Sequence, residues 1–326
     1  MGRWTKLGKA AAAFLAAAVL CGCQAEVPLF SGSKGEKEYG RAEAMAIVTT
    51  ERHRYEELYT DQIWHVTVDN RGTTFEASLL DQIHDFMREL KIMSLMAKEQ
   101  EIRLSGQEEE LVSEAASRYM ETLGEPAAEE LGLDETAMKG LFSDYWLAEK
   151  LAEHLTGSMD LEVSDSEARV ITVSQIVLED AETAANVLSQ VQAEGADFYA
   201  IAKETSVSEE IKVQLGRGEA GSAYEEAAFG LEAGEISDVV AGDGQFYIIR
   251  CENDYDEEAT RLHKETMIQD RKDQAFYAAY QAFKAGVTLT EEPETWEGIT
   301  ISQSPATPAD FFEVFEEVCE GGEMGS

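Results

Sequence analysis

Val170-Ile171-Thr172-Val173-Ser174-Gln175-Ile176-Val177-Leu178 is a nine-residue run in which all but Ser174 and Gln175 are β-branched or apolar. Such residues fit a pleated, half-buried surface better than a helix, so the run predicts a strand. Gly244-Gln245-Phe246-Tyr247-Ile248-Ile249-Arg250-Cys251 predicts a second. Between them, residues 181–193 and 197–204 read as helices, and residues 223–230 as a short helix or turn after a glycine-rich stretch. A strand, helices and a returning strand predict a small sheet with packed helices, an α+β domain of about ninety residues.

The flanks are helical. Residues 42–59 form one amphipathic pattern with Ile47, Tyr55 and Leu58 as apolar contacts, and residues 63–68 read as extended, ending at the turn Asp69-Asn70-Arg71-Gly72. Residues 75–103 carry Leu79, Ile83, Phe86, Leu90 and Met93 at three-four spacing, the stripe of a long helix. Ser105 with Glu108 is a capping box, Gly124-Glu125-Pro126 a break, and Asp134 a cap for residues 135–155. Residues 257–285 are helical again, with Phe276, Tyr277, Tyr280 and Phe283 expected to pack on the N-terminal helices. Residues 295–301 suggest a strand and 310–318 a last acidic helix. Met87, Met93, Met96, Met120 and Met138 fit either core packing or an adaptable binding groove. Trp64 and Trp146 read as core anchors, and Glu108-Glu109-Glu110 as a solvated helix start.

The first residues carry Arg3, Lys6 and Lys9 before an apolar run from Ala10 to Leu20. That is the pattern of a secretory signal, too short for a membrane span. It closes on Leu20-Cys21-Gly22-Cys23, which resembles the lipobox of bacterial lipoproteins. The resemblance implies a signal peptide over residues 1–22, cleavage before Cys23 and lipidation of Cys23. Residues 23–41, rich in glycine, serine and charge, then read as a lipidated tether. The implied location is the extracytoplasmic face of a cell membrane, and a Gram-positive-type surface fits it.

The chain of 326 residues has 26 Lys plus Arg against 65 Asp plus Glu, a net charge of −39. Removing residues 1–22 removes three cations and no acid, leaving −42. A phosphate backbone would repel such a chain, which argues against nucleic acid. Of four cysteines only Cys251 and Cys319 remain beyond the lipobox, and whether they pair is open. The five histidines are scattered and no Cys-x-x-Cys occurs, so neither a metal nor a cofactor is expected. No serine has a His/Asp partner at a suggestive spacing, which sets hydrolases aside.

Six segments within residues 168–253 resemble the parvulin type of peptidyl-prolyl isomerase. Ser174-Gln175-Ile176-Val177-Leu178 matches the opening strand. Gly195-Ala196-Asp197-Phe198-Tyr199-Ala200-Ile201-Ala202 matches a Gly-x-Asp-Phe-x-x-Leu-Ala helix start, and Lys203-Glu204-Thr205-Ser206 a serine-rich step. Val213-Gln214-Leu215-Gly216 matches Gly-Asp-Leu-Gly. Tyr224-Glu225-Glu226-Ala227-Ala228-Phe229-Gly230-Leu231-Glu232-Ala233-Gly234-Glu235-Ile236-Ser237 is a nearly complete Phe-x-x-Ala-Ala-Phe-x-Leu-x-x-Gly-Glu-Ile-Ser element. Gln245-Phe246-Tyr247-Ile248-Ile249 matches the closing strand. Behind a lipobox and between helical flanks, the whole chain resembles the PrsA/SurA-type extracytoplasmic foldases with a parvulin-type (PpiC-like) domain. The resemblance implies a chaperone lobe formed by residues 42–157 and 255–326, with a parvulin-like domain over residues 168–254 inserted between them.

The resemblance also implies a site. Leu215, Tyr224 and Phe229 match positions that cradle a proline ring. The family's two facing histidines fall at Gln175 and Tyr247, and its acidic position at Gln214, so all three polar members are changed. Aromatic residues usual after Gly-Asp-Leu-Gly are replaced by Arg217 and Gly218. Gln175 and Tyr247 are expected to hydrogen-bond each other as neutral substitutes. The expected function is a membrane-anchored foldase that binds unfolded or partly folded exported polypeptides, with weak or lost catalysis. The alternatives are a catalytically active peptidyl-prolyl isomerase and a surface lipoprotein without chaperone activity.

Overall fold

A computed structural model describes residues 34–157 and 162–321. The signal segment, Cys23 and most of the tether lie outside the described residues. The described residues divide into two units, one within Met1–Met159 and Gln274–Ser326, the other within Asp160–Asp273.

The first unit is mostly helical. A short strand β1 (Lys34–Lys37) pairs in parallel with β6 (Val287–Thr290), so the tether expected over residues 23–41 has an ordered end that the sequence reading missed. Helices Arg41–Glu56, Phe75–Glu99, Gly106–Leu123, Glu125–Leu131 and Glu135–Gly157 follow. Their ends obey local chemistry. Thr74 caps the second, the Ser105–Glu108 box is present in both directions, and Gly124 at φ 79° separates the third from the fourth. Asp134 Oδ1 accepts from the Ala137 amide at 2.8 Å. Glu108 is not simply solvated, since it is buried in the capping box and paired with Lys150.

Residues 63–68 are not a strand. Asp61–His65 is a 3-10 turn that drives Trp64 into the core, where its Nε1 donates to Glu56 at 3.1 Å, while Val66 and Val68 stay exposed. Only the single bridge Thr67–Thr74 forms there, because no long strand lies alongside to complete a ladder. Residues 295–301 are also not a strand; Ile299 and Ile301 reach the core from turns. Leu58, expected as a contact, is 75% exposed. The C-terminal segment is more than an acidic helix. Asp310 caps Phe311–Phe315, and Phe311 stacks on Phe142 at 4.4 Å between ring centres while Phe315 meets Tyr145 at 4.8 Å. Four of the five methionines (Met87, Met93, Met96, Met138) are buried in this core. Of the late aromatic row Phe276, Tyr280 and Phe283 join it, and Tyr277 does not.

The second unit holds a four-stranded antiparallel sheet in the order β3-β2-β5-β4, formed by β2 (Val170–Leu178), β3 (Lys212–Gly216), β4 (Val240–Gly242) and β5 (Gln245–Asn253). Helices Ala181–Val191 and Phe198–Thr205, capped by Asp180 and Asp197, cover one face through Ile176, Leu178 and Ile248. Helix Ser222–Phe229 covers the other through Ile171, Val173, Leu215 and Ile249. A buried central β2 explains why its sequence is apolar on both faces.

Helix Glu257–Lys284 begins in this unit and ends in the first, whereas the sequence reading assigned all of residues 255–326 to the helical lobe. The reason lies in specific bonds: Val170 N donates to Thr260 Oγ1 at 3.0 Å, Asp256 N to Val170 O at 2.9 Å, and His263 Nδ1 lies 3.0 Å from Ala168 O. Cys251 and Cys319 are both buried and are not joined by a disulfide. Among the described residues no helix is long and apolar enough to cross a membrane.

Candidate functional site: an apolar cluster beneath helix Ser222–Phe229

Three of the residues singled out in the sequence come together. Leu215 on β3 and Tyr224 and Phe229 on helix Ser222–Phe229 are buried in one cluster with Ile171, Val173, Ala228 and Ile249. The register explains Leu215: it lies opposite Ile171 on β2, so its side chain points to the face that the helix covers. The intervening Gln214 pairs with Thr172 and points the other way. It is exposed, and its Nε2 donates to Asp256 Oδ2 at 3.2 Å. Gln214 therefore does not join the polar members of the pocket, contrary to the sequence expectation. The one-residue offset from Leu215 decides this.

Gln175 and Tyr247 share the pocket face but do not bond to each other. Gln175 lies opposite Ile249, and Tyr247 opposite Val177, which makes the two a diagonal pair. Diagonal neighbours are roughly 7–8 Å apart, within reach of long and aromatic side chains, so spacing alone does not keep the two from bonding. Tyr224 stands between them. Its Oη donates to Gln175 Oε1 at 2.8 Å, and its ring meets Tyr247 edge-on, 5.1 Å between centres and 82° between planes. Gln175 Nε2 donates to Glu210 O at 2.9 Å, and Tyr247 Oη to Gln245 Oε1 at 3.3 Å. Burial, with the neighbouring Tyr247 phenol adding to it, pushes the Tyr224 hydroxyl well above its ordinary pKa. It stays a neutral donor.

Phe229 is covered as well as buried. The Arg217 guanidinium lies 4.3 Å from its ring centre and that of Arg169 5.7 Å. Both are cation–π distances. Arg169 is tied by Nε to Asp254 O at 2.7 Å, while Arg217 is exposed. The loop carrying Arg217 is braced by carboxylates: Glu219 Oε2 accepts from Gly216 N at 2.7 Å, and Glu225 Oε1 from Gly218 N and Ala220 N. Sequence reasoning noted Arg217 only as a missing aromatic residue and did not foresee that its cation would sit on Phe229.

The rest of the long motif builds the scaffold. Gly234 N donates to Cys251 O at 2.7 Å, Cys251 N to Glu235 O, and Ser237 N to Ile249 O, while Ser237 Oγ accepts from Ile249 N at 2.9 Å. The Gly-Glu-Ile-Ser run thus closes an edge of β5 that would otherwise present unpaired backbone groups. Ser206 Oγ accepts from Val177 N and Ser208 N, so the serine-rich step is likewise a brace.

A four-stranded antiparallel sheet with helices on both faces and a buried apolar cluster under the helix Ser222–Phe229 agrees with the sequence comparisons. Residues 178–253 match the family model of the rotamase, PPIC-type PPIASE domain. The middle unit is thus of the parvulin class. At the level of the chain the likeness is to PrsA-type parvulin foldases. Foldase protein PrsA 1 of Streptococcus pyogenes serotype M3 (strain SSI-1) is 31% identical over 149 residues, 41% of this chain and 42% of that protein. Foldase protein PrsA of Caldanaerobacter subterraneus subsp. tengcongensis is 24% identical over 257 residues, 72% of this chain and 78% of that one. The chain thus spans less than half of the streptococcal relative. The crystal structure of a peptidylprolyl isomerase (PrsA) from Bacillus cereus aligns at 16% identity over 78% of this chain and 97% of that chain, with a TM-score of 0.37.

Proposed function

We propose that this protein is a lipid-anchored extracytoplasmic foldase that binds unfolded or partly folded exported polypeptides, with weak or absent isomerase catalysis. The observation that carries the catalytic part is the wiring of Gln175, Tyr224 and Tyr247. Prolyl isomerisation crosses a barrier of roughly 18–20 kcal/mol set by amide resonance. A catalyst lowers it only with groups that favour the twisted amide over the planar one. Here Gln175 has its carbonyl satisfied by Tyr224 and its amide by Glu210 O, and Tyr247 donates to Gln245. The cation of Arg217 covers the ring that would receive proline. The apolar cluster of Leu215, Tyr224 and Phe229 is kept, without a free, facing polar pair beside it.

Holding clients asks for exposed apolar surface in place of chemistry. In the helical unit Leu58, Tyr59, Val66 and Val68, all within eleven residues of one another in sequence, are exposed large apolar side chains. The Cys23 lipobox supports anchoring, and two or three acyl chains hold stably where one is marginal.

A protease-coupled isomerisation assay on an Ala-Pro peptide, run beside an aggregation assay of a reduced secreted protein, tests the reading. Suppression of aggregation without acceleration of isomerisation is the expected pair of results. Turnover well above the spontaneous rate that falls on Phe229→Ala would return the active-isomerase reading. Failure of Cys23→Ala to abolish radiolabelled palmitate incorporation would remove the anchor.

A further inference from the structure

His84 is an isolated histidine in the sequence, and no metal was expected there. The fold surrounds it with two carboxylates. β1 and β6 run parallel with Lys37 opposite Thr290, and Glu38 N donates to Thr290 O at 3.1 Å. The next residues, Glu38 and Glu291, therefore leave the strand pair side by side. Two like charges in adjacent positions repel unless something stands between them. What faces them is His84, from helix Phe75–Glu99: its Nε2 lies 3.5 Å from Glu38 Oε2 and 3.7 Å from Glu291 Oε2. One donor atom from each of the three residues falls within 4.8 Å of the others.

The two separations from His84 Nε2, 3.5 and 3.7 Å, come close to those of a coordination shell. A tetrahedral ion with ligand bonds of 2.0–2.2 Å has ligand–ligand edges of roughly 3.3–3.6 Å. Direct bonding explains them less well. His84 Nε2 is buried and has no hydrogen-bond partner, and the Glu38 side chain is only 6% exposed. Buried polar atoms without partners are uncommon and call for an explanation.

Arg88, one turn beyond His84, lies 3.1 Å from the other Glu38 oxygen, Oε1, without hydrogen-bonding geometry. It orients that carboxylate and leaves Oε2 turned toward His84, the arrangement by which outer groups fix a ligand. The Trp296 ring lies 4.6 Å from the imidazole centre. The Glu291 side chain is 36% exposed, which gives an entry path and room for a water as a fourth ligand.

We infer that Glu38, His84 and Glu291 form a binding site for a divalent transition-metal ion of the Zn2+ class. One imidazole nitrogen with two carboxylate oxygens suits Zn2+ and its neighbours in the first row; Ca2+ and Mg2+ prefer oxygen alone. The ion would neutralise the paired acids and fasten the β1 end of the chain to the β6 segment and to helix Phe75–Glu99.

The test is titration of the chelator-stripped full chain with Co2+, read by the visible absorption of the tetrahedral ion, and with Zn2+ by calorimetry. The expected result is one saturable site that weakens at least tenfold in both His84→Gln and Glu291→Gln, with a chelator-reversible rise in melting temperature in the parent alone. Should His84→Gln fail to fold, Glu291→Gln decides, since that side chain is partly exposed. Absence of saturable binding at millimolar Co2+, or a site that binds as tightly in Glu291→Gln as in the parent, overturns the inference.

Discussion

The Tyr224 hydroxyl donates to the Gln175 side-chain carbonyl at 2.8 Å, and this bond ties helix Ser222–Phe229 to β2. A neutral pair of this kind stabilises the sheet–helix contact and moves no proton. Tyr224→Phe should lower unfolding free energy by about 1 kcal/mol, the ordinary net value of such a bond. Urea melts of Tyr224→Phe, Gln175→Ala and the double variant check it through their coupling. Tyr247→Phe should leave any residual isomerisation rate unchanged; a tenfold drop would show that its hydroxyl acts on substrate.

Arg217 over Phe229 sets the second expectation. An exposed cation–π pair is worth about 0.5–1 kcal/mol, so Arg217→Ala should barely change stability. It should uncover the Phe229 ring and tighten binding of an apolar X-Pro peptide several-fold, as read by NMR titration of the Phe229 and Leu215 signals. Weaker binding in Arg217→Ala would mean that the guanidinium contacts the peptide itself.

How far these features were legible follows from the range of the interactions. Val170–Leu178 was readable to the residue because β-branching and burial on both faces mark a central strand. Ser105 and Asp134 were readable as caps because capping is local. β1 and β6 were not, since each is four residues long and acquires meaning only from the other, some 250 positions away. Likewise Leu215 and Gln214 are neighbours in sequence, and only the β3 register sends one into the pocket and the other to Asp256. Phe311, Phe312 and Phe315 were passed over because the acids among them dominated the reading, although their rings fill the helical core.

Asp69 provides a pH test. Its carboxylate accepts from the Thr73 amide at 3.0 Å, from the Thr73 hydroxyl at 2.8 Å and from the Arg71 amide at 2.8 Å, with Gly72 at φ 87° completing the turn. These bonds, those of Thr73 first, lower its pKa from 3.8 to about 2. A depressed acid contributes stability above its unfolded pKa and loses it as pH falls through the folded value. Its share is therefore present above about pH 4 and fades between pH 4 and 2. The carboxyl carbon of Asp69 should titrate near pH 2 by NMR, and Asp69→Asn should flatten the stability profile in that window. A midpoint near 3.8 would show that the turn does not hold in solution.

Gly216 ends β3 where the His263 ring passes closest. A Cβ built on Gly216 would lie 2.7 Å from His263 Cε1 and 3.0 Å from the Glu219 carboxyl carbon. Neither neighbour is free to retreat without loss. His263 Nδ1 lies 3.0 Å from Ala168 O, and Glu219 accepts from the Gly216 amide. Overpacking of this kind typically costs about 1–3 kcal/mol, and Gly216→Ala should destabilise the second unit by that amount. His263→Ala removes the ring and its bond to Ala168, so it should destabilise the unit in its own right. In the His263→Ala background, however, Gly216→Ala should lose most of its effect, leaving only the Glu219 contact. Thermal melts of the two single variants and the double give the coupling. Strict additivity would mean that the ring does not set the glycine requirement at this position.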